Sequence, residues 1–161
     1  MFTLNNSVLY QKAQPVTFEN PEELDKLGRQ MEQLMLTYRG IGLAAPQCGI
    51  SKCIVVTNVG KLRRFYNPKI VASSSNTILY NEGCLSFPGL YINIRRPVSV
   101  EVEYQDITGN SKIESFDGLE ATCIQHEIDH LNGITFQAKA SKLALDISTR
   151  RMKKRDRHAV K

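Results

Sequence analysis

The chain has three histidines, and two of them stand four apart in Gln125-His126-Glu127-Ile128-Asp129-His130-Leu131-Asn132-Gly133. On an α-helix, positions i and i+4 lie one above the other on the same face. Two imidazoles placed that way can bind one metal ion. Glu127 lies about 100° round the helix from His126, close enough to reach a water at that ion. The His-Glu-x-x-His pattern therefore offers two ligands and a general base for hydrolysis. The competing reading is a pair of surface histidines on a charged helix. The apolar flanks and the scarcity of histidine elsewhere argue against it.

A hydrolytic metal site needs a third protein ligand and an open position. Two peptidase solutions fail on named residues. One uses a Glu downstream of the second His, and no Glu follows Glu127. The other extends the motif through a Gly to a third His; Gly133 fits that register, but the His position holds Phe136. Asp129 is expected to point away from the histidines, and Asp146 lies in a basic segment, a poor alternative. Upstream, Cys84 follows a strand-like stretch in Glu82-Gly83-Cys84-Leu85-Ser86, beside a glycine that permits an unusual turn. A thiolate is a strong ligand for a divalent transition ion. Cys84, His126 and His130 would leave a fourth position free for water. The other cysteines, at 48, 53 and 123, form no Cys-x-x-Cys pair and read as small buried hydrophobes.

These residues need elements to hold them. Asp117 and Glu120 predict a capping box for the metal helix, from about Gly118 to Asn132, with Gly133 as its stop. An earlier helix starts at Asn20-Pro21-Glu22-Glu23, carries Leu24, Leu27, Met31, Leu34, Met35 and Tyr38 at helical spacing, and ends at Gly40. The run Gly40-Ile41-Gly42-Leu43-Ala44-Ala45-Pro46-Gln47 lets backbone approach something closely, and one amide closes it. Strands are predicted at 53–57, at 65–71 with an interruption at Pro68, at 77–80, at 91–94, at 98–104 and at 113–116. Ser73 to Asn76, Phe87 to Gly89 and Asp106 to Asn110 read as turns. A last helix begins near Ser141, with Leu143 and Ile147 as its apolar edge and a polar surface beyond Arg150. Strands gathered between helices predict an α+β fold, compact, with antiparallel or mixed sheets around the metal helix. The 161 residues suit a single domain.

Composition narrows the function. A hydrophobic content of 42% and a charged content of 23% are those of a globular protein. No apolar run is long enough to span a membrane, and residues 1–16 lack the pattern of a secretory signal or transit peptide, so a cytoplasmic location is expected. The formal charge of +5 is carried by one end: residues 139–161 hold nine Lys/Arg against two Asp, while 1–138 hold twelve against fourteen acidic residues. Such a tail suits either a polyanionic partner such as RNA or a solvated helix end.

The segments Gly40 to Gln47, Glu82 to Ser86 and Gln125 to His130, in that order, resemble the three motifs of peptide deformylase. The resemblance covers about residues 8 to 155. It implies a compact α+β enzyme that removes the formyl group from the initiator methionine of N-formylmethionyl nascent peptides. It implies Cys84, His126 and His130 as metal ligands and Glu127 as acid/base. The Gln47 amide and the Leu85 N–H would be oxyanion donors. Ile41, Gly42 and Cys123 would line the methionine pocket. The implied ion is Fe²⁺, with Zn²⁺, Ni²⁺ or Co²⁺ able to replace it. The resemblance also suggests that Glu82 pairs with Arg96 near the Cys84 loop, against a reading of both as surface charge. Asp129 would orient the helix or a ligand. Tyr91 departs from the family, many of whose members carry Arg there to touch the peptide backbone. Residues 142–157 would dock on the ribosome, as a basic C-terminal helix does in some bacterial members, with no specific nucleic acid and no membrane as partner. Their removal is expected to spare activity on a short formyl-peptide. The rivals are a metalloprotease and a structural metal site in an RNA- or ribosome-binding module, whose fourth ligand would be His158, Cys123 or Asp129.

Overall fold

A computed structural model describes residues 7–159. The side chains of Asp156, His158 and Ala159 lie outside the described part, and with them His158 as a possible ligand. The helices are α1 (Pro21–Thr37), α2 (Gly118–Leu131), α3 (Phe136–Lys139) and α4 (Lys142–Ala159). The strands are β1 (Gly42–Ala44), β2 (Ile54–Val59), β3 (Lys61–Ser73), β4 (Thr77–Cys84), β5 (Phe87–Pro97), β6 (Ser99–Gln105) and β7 (Ser111–Asp117). They form an antiparallel five-stranded sheet in the order β1-β2-β3-β6-β7 and a two-stranded sheet, β4-β5. The expected α+β class holds.

The five-stranded sheet lies between α1 and α2, and strand periodicity divides the two contacts. Ala44, Val55 and Phe65 pack with Ala121, Ile124, Ile128 and Leu131 of α2. Leu43, Ile54, Val56 and Tyr66 pack with Leu24, Met31 and Met35 of α1. Both faces of β2 are therefore covered, which is why it reads as an unbroken β-branched run rather than an alternation. Truncating a core side chain here to Ala costs about 2–5 kcal/mol. A third cluster joins Phe87, Leu90, Ile92 and Ile94 of β5 to Leu9 and Phe136, with Ala144, Leu145 and Met152 of α4 against it.

Local chemistry sets the element ends, with some corrections. At α1 the Asn20 side chain accepts from the Glu23 N–H at 3.2 Å, a cap worth about 1 kcal/mol. The helix ends at Thr37, and the left-handed residue is Arg39 (φ 54°) rather than Gly40. Gly40 serves a close approach instead, because a Cβ there would lie 2.7 Å from Leu85 Cδ1. The capping box at α2 does not form: Asp117 makes no side-chain cap bond, and Glu120 is drawn 3.3 Å from Arg63 Nη1. Gly133 (φ 71°) ends α2 as expected. Pro68 does not break β3; with Asn67 left-handed (φ 52°), the strand passes it by a register shift. Phe87 is no turn residue but the first of β5, so the turn falls on Leu85 and Ser86. The apolar edge of α4 is also different. Leu143 is 70% and Ile147 41% exposed, while Leu145 and Met152 pack inward.

Candidate metal centre and cleft

Cys84 ends β4 at the point where the β4–β5 register shifts, so its side chain leaves the ladder towards α2. His126 and His130 lie one turn apart on α2, their ring centroids 5.0 Å apart. His130 Nε2 is 3.3 Å from Cys84 Sγ. One donor atom from each of Cys84, His126 and His130 falls within 4.8 Å of the others. One thiol and two imidazoles, converging and largely buried, suit a divalent transition ion.

The surroundings orient these donors. Glu82 lies two residues before Cys84 on β4, and so on the same side of the strand. Its Oε2 is 2.8 Å from His126 Nδ1, which leaves Nε2 to face the cluster. Arg96 holds the same carboxylate in a fork, at 2.5 Å from Nε and 3.0 Å from Nη2, and reaches Asp129 Oδ2 at 2.9 Å. Arg96 follows Leu90, Ile92 and Ile94 in the inward row of β5 and is only 4% exposed. Removing it would strand a buried carboxylate, typically at a cost of about 3–5 kcal/mol. Burial works to raise the Glu82 carboxyl, but His126 and Arg96 hold it below its ordinary value. Burial likewise works to lower the His126 imidazole, yet its bonds to Cys84 and Glu82 hold it near 10. Burial pushes His130 well below its usual range.

Glu127, the residue after His126 on α2, lies buried against Gly42 of β1. Burial raises its carboxyl to about 7, and Oε2 has no hydrogen-bond partner among the described residues. Any Cβ at Gly42 would collide with Oε1 and lie 2.7 Å from Cys123 Sγ, so β1 must carry glycine there for α2 to seat. Gln47 turns its carbonyl back to the Ala44 N–H at 2.8 Å. Its amide Nε2 faces Ser86 Oγ at 3.2 Å and Cys84 Sγ at 3.5 Å. Gln125 ties α2 to the end of β5 through the Pro97 carbonyl at 3.1 Å.

An open cleft of about 770 Å³ leads to this centre. Ile41, Gly42, Gln47, Cys84, Leu85, Cys123, His126 and Glu127 all line it, so the predicted site residues meet in one place apart from the wholly buried His130. Of the rival fourth ligands, the two whose side chains are described are engaged elsewhere. Asp129 takes Arg96 and, at 3.3 Å, Lys139. Cys123 donates to the Ile41 carbonyl at 3.3 Å, and burial holds its thiol well above the ordinary range. Phe136, at the sequence position of the extended motif's third His, packs with its ring centroid 5.7 Å from that of His126. The sequence reading missed the Glu82–His126 contact and the Ser86 hydroxyl. Strand period 2 counted back from Cys84 would have found the first.

Fold and site together define a class: α+β proteins that can hold one divalent ion beside a buried carboxylate. The family model described as polypeptide deformylase matches residues 1–145, and this chain belongs to that metal-dependent family. It is similar to a peptide deformylase of Rhizobium meliloti, 41% identical over 160 residues that cover 96% of this chain and 91% of that protein. A peptide deformylase of Prochlorococcus marinus is 44% identical over 126 residues, 74% of this chain but only 62% of that longer protein. Among solved structures, a peptide deformylase from Synechococcus elongatus in complex with actinonin superposes with a TM-score of 0.87 at 40% identity, covering 94% of this chain and 84% of that one.

Proposed function

We propose that this chain removes the N-formyl group from polypeptides that begin with formylmethionine, releasing formate and a free amine. The observation that carries the reading is the buried Glu127 carboxylate beside the Cys84–His126–His130 donor set, at the end of an open cleft in a chain of this family. In this reading those three residues hold one divalent ion. The donor set favours a transition metal; Fe²⁺ is assigned on the family resemblance, with Zn²⁺, Ni²⁺ or Co²⁺ as substitutes. Such an ion supplies Lewis acidity and makes hydroxide available near neutral pH.

The side chains supply the rest. Water adds to the formyl carbon, the C–N bond breaks, and Glu127 carries the proton from that water to the departing amine. A carboxyl raised to about 7 can both take and return a proton near neutrality. Negative charge grows on the formyl oxygen, where Gln47 Nε2 and the Leu85 N–H donate. Losing one such donor typically costs about 10²–10³ in rate. Ile41, Gly42 and Cys123 receive the methionine side chain, whose flexible thioether adapts to apolar contact. The 161 residues act as one catalytic domain in the cytoplasm, and the exposed basic face of α4 meets the ribosome.

Formate release from a formylmethionyl peptide tests the reading. Glu127→Gln should lower kcat by at least about 10². Comparable turnover by the variant would overturn the mechanism, and equal cleavage of an unformylated peptide would favour a peptidase.

A further inference from the structure

The C-terminal helix backs the cleft wall, packing behind Gly89 and Tyr91, which line it. Tyr91 pairs with Gly83 across the β4–β5 ladder, next to Cys84, and its ring lies where any side chain at Gly83 would stand, with Cε1 2.7 Å from that Cβ position. Tyr91 lines the cleft and is half exposed. On its outer side the Arg155 guanidinium lies 5.8 Å from the ring centroid, and Arg155 Nη2 donates to the Gly89 carbonyl. Met152, three residues earlier on α4, packs against the same stretch. Arg155 is thus held at the rim by a stacked ring and a carbonyl, a geometry that suits a planar guanidinium.

Among the described residues that line the cleft, Arg39 is the one exposed charge. It follows α1 and stands next to Gly40 in the same lining. The acidic side chains that line the cleft are Glu82 and Glu127, both buried, the first neutralised by Arg96 and His126. Arg151, Lys153 and Lys154 add exposed positive charge on α4. A peptide whose formyl end reaches Glu127 leaves through this mouth.

We propose that Arg155, stacked on Tyr91, together with Arg39, makes the cleft select formylmethionyl peptides with an acidic side chain just downstream of the methionine. The proposal rests on the deformylase reading. Arg155 acts partly by its charge and partly by positioning Tyr91 and Gly89.

The test uses the metal-loaded full chain and three amidated peptides, formyl-Met-Ala-Xaa-NH₂ with Xaa as Glu, Gln or Lys, so that no terminal carboxylate intrudes. KM should rise from Glu to Gln to Lys by about two- to five-fold per step, the range of an exposed ion pair. kcat should stay level, and salt should compress the series. Arg155→Gln should remove most of the Glu–Lys difference while changing KM for the Gln peptide far less than for the Glu peptide, and Arg155→Lys should restore part of it. Equal or reversed KM values in the native protein would overturn the proposal. So would a preference that neither Arg155→Gln nor Arg39→Gln alters, or an Arg155→Gln protein that loses the Gln peptide as severely as the Glu peptide. Absence of turnover on the Gln peptide by the native protein would instead sink the deformylase reading.

Discussion

Glu127 is 4% exposed and has an unpaired Oε2 among the described residues, so desolvation dominates its proton affinity. The same burial that suits proton transfer near neutrality costs stability. Below about pH 4.5, the ordinary glutamate value, the carboxyl is protonated in both folded and unfolded chains and burial carries no ionisation cost. As the pH rises through about 7, the unfolded chain is already ionised, while the folded one must bury the anion or retain its proton. Stability relative to a neutral isostere is therefore fully present at low pH and lost through that window. In metal-free protein, Glu127→Gln should be more stable than the native chain at pH 8, with the gain fading towards pH 4.5. Urea unfolding at three pH values measures this, and a difference independent of pH would refute burial as the cause.

Between elements, the decisive contact is that of β1 with α2. β1 is three residues long, and Gly42 presents bare backbone to Glu127 and Cys123. Gly42→Ala should push the carboxylate aside without disturbing Cys84 or the histidines. A displacement of about 1 Å can cost about 10² in rate. The expected result is a loss of that order in kcat with metal content unchanged, read by formate release and elemental analysis of the purified protein. Loss of metal in parallel would show instead that α2 itself had shifted. The Gly40 to Gln47 run was legible as a place of close approach because its side chains are small. Which group approaches it was not, because α2 lies some eighty residues further along the chain.

Over the whole molecule, α4 combines a packed edge with an exposed basic surface. Because Ala144, Leu145 and Met152 join the β5 cluster, removing residues 142–157 should lower the melting temperature and expose Leu90 and Phe136. Ribosome docking is better tested by charge. Lys153→Glu with Lys154→Glu, both exposed, should keep the melting temperature, weaken ribosome binding and reduce its dependence on salt. Unchanged binding would remove the docking hypothesis.

The sequence alone determined the metal helix, because residues at i and i+4 must share a helix face whatever surrounds them. It also excluded the peptidase ligand sets, because Phe136 and the absence of a later Glu are facts of composition. It identified α1 through the Asn20 cap and its stripe, since both signals are local. The tertiary structure decided what depends on long-range packing. It brought Glu82 onto His126, placed Arg96 in an otherwise apolar row of β5, drew Glu120 from its cap to Arg63, and turned the packed edge of α4 to Leu145 and Met152. In each case the local pattern left the outcome open, and a partner distant in sequence decided it.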